Sequence, residues 1–91
     1  MMKAKEYAKM YKDNPTDETL AEIADLFVRE IDTLIKVRSA KSDSACIAIF
    51  KELDQKWMAF SNLSPSINPL GFRFLVERFF PDLMIILGWK V

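Results

Sequence analysis

The sequence predicts an all-α fold, a small bundle of three main helices followed by a C-terminal helix broken at Pro81. Three observations carry this reading. Apolar residues recur at three- and four-residue spacing through most of the chain. The 91 residues include only two glycines, against many Ala, Leu, Glu and Lys, which suits helices better than turn-rich β structure. The breakers gather in three short stretches, "DNPTDET", "SAKSDSA" and "SNLSPSINP", which leave four helical segments and no repeat or long linker between them. A chain of this length forms one domain, residues 1–91, and buries roughly 60–65% of its unfolded surface.

The first helix is predicted over Met2 to Asp13. Ala4, Tyr7, Ala8, Met10 and Tyr11 gather on one side, and Lys5, Lys9 and Lys12 lie opposite. A helix this short is marginal alone in water, so its tyrosine face must dock. Pro15 disfavours helix at Asn14, while Thr16 followed by Asp17 and Glu18 supplies an N-cap and an acidic first turn. The second helix then runs to Arg38. Its Leu20, Ile23, Ala24, Phe27, Val28, Ile31, Leu34 and Ile35 fall in an apolar arc of about 140°.

Ser42 or Asp43 caps the third helix, Ser44 to Asn62. Cys46, Ile49, Phe50, Leu53, Trp57 and Phe60 share one face, and a thinner stripe of Ile47 and Met58 lies nearly opposite. A helix with two apolar sides is either central in a bundle or has one side in an interface. Asn68 as N-cap with Pro69 at the first helical position starts the fourth helix, which carries Leu70, Phe74, Leu75 and Phe79 toward the core. Pro81 interrupts it, and a short turn of helix, "PDLMIILG", stops at Gly88. The expected core is Leu20, Ile23, Phe27, Ile31, Leu34, Ile49, Phe50, Leu53, Trp57, Phe60, Phe74, Leu75 and Phe79.

Composition excludes several kinds of function. Thirteen basic and thirteen acidic side chains cancel, whereas proteins that hold nucleic acid or an anionic membrane normally carry a positive excess. The chain has no histidine, which removes the usual general base near pH 7 and every His-based metal or nucleophile arrangement. A single cysteine allows no internal disulfide or Cys-rich zinc site, and fits a reducing compartment. "MMKAKEYAKMYKD" contains no apolar run of the kind a secretory signal needs, so a cytoplasmic location is expected. The longest strongly apolar run, Leu83 to Trp89, is far short of the ~20 residues that span a bilayer.

No constellation in the chain supports catalysis. Asp17, Glu18, Glu22, Asp25 and Asp32 lie on the polar side of one amphipathic helix, where carboxylates stay solvated, and no calcium loop or glycine-rich phosphate loop is present. Cys46 sits in step with core positions and has no activating base nearby in sequence. The chain is therefore expected to be no enzyme and to bind no cofactor or metal. Two surfaces remain. Helix two, the "SAKSDS" turn and helix three could be read as a helix-turn-helix, but Lys51, Glu52, Asp54 and Lys56 give the would-be recognition helix no net charge. The Lys5, Lys9, Lys12 stripe, with Lys36, Arg38 and Lys41, is a candidate contact for nucleic acid.

The C-terminal segment carries more weight. Fourteen of the last twenty-two residues are hydrophobic, more than one stripe of a small bundle can cover. Phe72 and Val76 lie off the Leu75–Phe79 line, Phe80, Ile85 and Trp89 add bulk, and Arg73 stands beside them. The expected function is a non-catalytic protein-interaction module that self-associates through Phe72, Arg73, Val76, Phe80, Ile85 and Trp89. The alternative is a nucleic-acid accessory protein using Lys5, Lys9 and Lys12. In size and composition the chain is similar to small helical proteins of phages and other mobile elements, a likeness that assigns a role to no residue.

Overall fold

Thr16 and Ser42 begin the two long helices as caps: their side-chain oxygens accept the backbone N–H of Thr19 and Ala45, each at 3.2 Å. The computed structural model describes residues 2–89 and contains α1 (Ala4–Asp13), α2 (Asp17–Val37), α3 (Asp43–Leu63), α4 (Gly71–Phe79) and α5 (Leu83–Ile86). Among the described residues there is no strand, so the fold is all-α. The chain turns at Pro81 between α4 and α5, as its missing N–H requires. No helix among the described residues is long and apolar enough to cross a membrane.

α3 is central and packs against α1, α2 and α4, while α5 is held on α4. That placement accounts for the two apolar sides of α3, although its outer stripe stays partly wet, with Ile47 and Met58 half-buried. The packing is largely aromatic. Phe27, fully buried on α2, has ring-centre distances of 4.7 Å to Tyr7, 5.1 Å to Trp57 and 5.8 Å to Phe72. Phe72 also meets Phe50 and Trp89, and Phe50 meets Phe80. One ring system thus ties α1, α2, α3, α4 and the segment after α5 together, at about 0.5–1.5 kcal/mol per pair beyond burial.

The core on α2 and α3 is the expected one, except that Leu20 is only half-buried. On α4 the expected face is wrong. Phe72 and Val76 have no exposure, whereas Phe74 and Phe79 are 58% and 52% exposed and Leu75 is half-buried. Gly71 is the point of closest approach. A Cβ there would sit 2.5 Å from Trp57 Cζ2, so only glycine lets α4 approach the indole this closely. Phe72 and Val76 lie opposite Glu77 and Arg78 on α4, and it is that side which meets the core.

The start of α4 also differs. Asn68 does not cap the helix itself; its Oδ1 accepts Leu70 N–H at 2.9 Å and its carbonyl accepts Gly71 N–H, a turn that feeds α4 two residues later than expected. The same carbonyl accepts Trp57 Nε1–H at 2.8 Å. The turn and the buried indole therefore fix each other.

Helix ends obey ordinary capping chemistry. After α2, Ser39 N–H donates to Lys36 O and Ala40 N–H to Ile35 O, a Schellman arrangement with Ser39 at a φ of 49°. After α5, Gly88 at a φ of 75° and Trp89 repeat the pattern, bonding back to Ile85 and Met84.

Candidate functional site

Two surfaces gather the residues singled out in the sequence. The first is the outer side of α4 and α5. Leu70, Phe74, Phe79, Ile85 and Ile86 are all exposed, from 44% at Leu70 to 68% at Ile85. Elsewhere among the described residues only Val37 and Leu63 are large hydrophobics left so open. The two phenylalanines alone leave roughly 200 Å² of ring and stem in water. Leu70, Ile85 and Ile86 add further exposed apolar area, spread over α4, α5 and the turn before α4. The Arg78 guanidinium lies 5.4 Å from the centre of the Phe79 ring, so a charged group borders the apolar residues.

This surface overlaps the expected one only in part. Phe72 and Val76 are core residues with no exposure, Phe72 packing against Phe27 and Phe50, and are unable to meet a partner. Phe80 is half-buried edge-on to Phe50 at 5.4 Å, and Trp89 is half-buried edge-on to Phe72 at 6.2 Å. Ile85 alone of the six is a largely exposed apolar group. Phe74 and Phe79, expected inside, take the outward role.

Arg73 belongs to an inner cluster. Its Nη2 stands 3.5 Å from Asp54 Oδ2 on α3, and its guanidinium covers the Trp89 ring at 5.0 Å. Asp54 is 6% exposed, and burial pushes its carboxyl pKa up against the opposing pull of Arg73. Asp54 Oδ1 and Arg73 Nε lack a hydrogen-bond partner, so the pair is imperfectly satisfied. Its evident work is structural: it pins α4, and through Trp89 the end of the described chain, onto α3.

A second inner ion pair joins α2 to α3. Lys56 Nζ donates to Glu30 at 2.6 Å and to the Met2 carbonyl at 3.0 Å, and Glu30 is 7% exposed. Tyr7 of α1 lies in the same region, and its pKa is pushed up to about 12, first by burial and then by the Glu30 carboxylate. At the α2–α3 turn Arg38 makes a two-pronged bond to Glu52, at 2.8 and 3.1 Å. These pairs occupy three of the four charged residues noted on the would-be recognition helix. Glu52, Asp54 and Lys56 are paired with Arg38, Arg73 and Glu30 in turn.

The second surface is a groove of about 890 Å³ between α1 and the connection from α3 to α4. Lys5, Lys9 and Lys12 line one side with Ala8, Tyr11 and Asp13; Pro15, Leu63, Ser64, Pro65 and Ser66 complete it. The helical spacing puts Tyr11 away from the lysines, yet it reaches the groove while its ring packs edge-on to Phe60 at 6.5 Å. Lys9 is paired with Asp13 at 3.0 Å.

The carboxylates of α2 expected to be solvated, Asp17, Glu18, Glu22, Asp25 and Asp32, are all exposed. Cys46 is half-buried, its Sγ 3.7 Å from the Ala40 carbonyl. Among the described residues no three His, Cys, Asp or Glu side chains gather as a metal site requires. Sequence reasoning misses Glu30 and Asp54 as buried charges. A carboxylate one turn from apolar positions, with a cation at a compatible height on the next helix, is the signal each leaves in the sequence. The chain matches no known family model, no curated protein and no solved structure.

Proposed function

We propose that the protein is a non-catalytic interaction module of the cytoplasm that associates with a second copy of itself through the outer side of α4 and α5. The observation that carries this reading is the exposure of Phe74, Phe79, Ile85 and Ile86 within one short stretch, where the rest of the described chain leaves only Val37, Leu63 and Leu70 so open. Water contact at these side chains has a free-energy cost of about 25 cal/mol per Å² that association removes. Aromatic residues with an arginine at the border are the composition enriched at interface centres. The inner pairs Asp54–Arg73 and Glu30–Lys56 hold the helices in fixed relation, so the surface is offered on a rigid frame.

The test is mutational. Phe74→Glu with Phe79→Glu is expected to abolish association and leave helicity unchanged, because both side chains are more than half exposed. Replacing Phe80 or Trp89 instead is expected to damage packing, since both rings touch the core. Association that survives the double substitution at 74 and 79 refutes the reading.

A further inference from the structure

We propose that the groove between α1 and the α3–α4 connection is a docking site for an extended acidic segment of a partner protein, anchored by one aliphatic side chain. This site is separate from α4 and α5 and does not depend on self-association there.

Charge is unevenly spread over the molecule. The chain as a whole is neutral, yet the groove holds three lysines against one aspartate. Asp13 is engaged by Lys9, and no ion pair among the described residues engages Lys5 or Lys12. Elsewhere Arg29, Arg38, Lys56 and Arg73 stand against acids, while Lys3, Lys36, Lys41 and Lys51 join no ion pair among the described residues; the groove differs in setting three lysines of one helix face beside apolar lining. Lys5 and Lys12 are thus cations held open on one face, spaced i, i+4, i+7 with Lys9 between them. At 1.5 Å rise per residue the stripe is about 10 Å long, the reach of three extended residues.

The groove is not only basic. Leu63 lies in it 54% exposed, and Ala8, Tyr11, Pro15 and Pro65 add further apolar lining. A bare anion has no use for that lining, whereas a peptide carrying carboxylates and an aliphatic side chain satisfies both parts. Nucleic acid fits less well. Its single-stranded forms need aromatic faces for stacking, and the only ring here, Tyr11, is turned edge-on into Phe60. Asp13 would also stand against phosphates.

The experiment measures fluorescence anisotropy with three labelled probes: a peptide of glutamates around one leucine, the same peptide with serine for leucine, and an oligothymidine of similar charge. The protein is used as wild type and as the variants Lys5→Gln with Lys12→Gln, and Leu63→Gln. All three sites are exposed, so circular dichroism should show unchanged helicity. The expected result is that the leucine peptide binds tightest. Its affinity should fall about threefold per lysine removed, and about tenfold on loss of Leu63 or of the peptide leucine. No binding, binding indifferent to Leu63, or tighter binding of the oligothymidine would each overturn the proposal, the last by making the groove a nucleic-acid contact.

Discussion

Replacing Gly71 with alanine sets two effects of opposite sign against each other. Alanine is the better helix former by up to about 1 kcal/mol, so propensity alone predicts a more stable protein. The packing at this position predicts the reverse. The added methyl would lie 2.5, 2.7 and 2.8 Å from Cζ2, Cε2 and Nε1 of Trp57. Trp57 has no room to retreat. Its Nε1–H is bonded to Asn68 O at 2.8 Å, and its ring is wedged edge-on against Phe27 and Phe60 at 5.1 and 5.4 Å. Relief requires α4 to move outward or the indole to give up its bond. Overpacking of this kind costs about 1–3 kcal/mol, and loss of the buried hydrogen bond about 1 kcal/mol more. After the helix-propensity gain, Gly71→Ala should destabilise by about 1–3 kcal/mol. In a domain this size each kcal/mol lowers Tm by about 4–8 °C. Urea unfolding measured by circular dichroism gives the number. Combining the change with Trp57→Phe should recover part of the loss, because the smaller ring vacates the contact. A Gly71→Ala protein as stable as wild type, or more so, would refute the close approach of α4 to Trp57 at Gly71.

Three further outcomes are expected. Ser39→Gly should stabilise by about 0.5–1 kcal/mol in thermal melts, because Ser39 holds a positive φ that glycine adopts without strain; no gain would mean the turn is not strained. The Tyr7 pKa is raised to about 12, so its contribution to stability is present below pH 10 and lost as pH rises toward 12; between pH 9 and 11 wild type should lose about 1 kcal/mol more than Tyr7→Phe, and equal slopes in urea titrations would contradict this. The Asp54 pKa is also raised, so its contribution is present below about pH 3.8 and lost as pH rises through the folded value; the stability of Asp54→Asn relative to wild type should therefore increase from pH 3 to pH 6, and a constant difference would exclude the buried-carboxylate account.

The long helices are legible in the sequence because the period of 3.6 runs the length of each, with a second, thinner apolar stripe on α3. α2 and α3 carry a continuous apolar stripe, and Thr16 and Ser42 each stand immediately before the single run they are able to cap. α4 is legible as a helix, and in part in its rotation. In nine residues it carries Leu75, Phe79, Phe72 and Val76 within an arc of about 100°, with Phe74 alone outside it, so the period does favour the Phe72–Val76 side and the expected Phe74–Leu75–Phe79 line is centred too far round the helix. Two further signals in the sequence bear on it. Glu77 and Arg78 mark a wet direction, and the direction opposite them at 100° per residue is that of Phe72 and Val76. Gly71 marks a close approach. The groove is half legible, since Lys5, Lys9 and Lys12 are one stripe on paper, but Leu63 and Pro65 join them only when α1 lies along α3.

Association through the outer side of α4 and α5 is read out by absolute mass from light scattering on a sizing column, at two protein concentrations. Wild type should run as a dimer or larger, and Phe74→Glu with Phe79→Glu as a helical monomer. A wild-type monomer at both concentrations would contradict the claim.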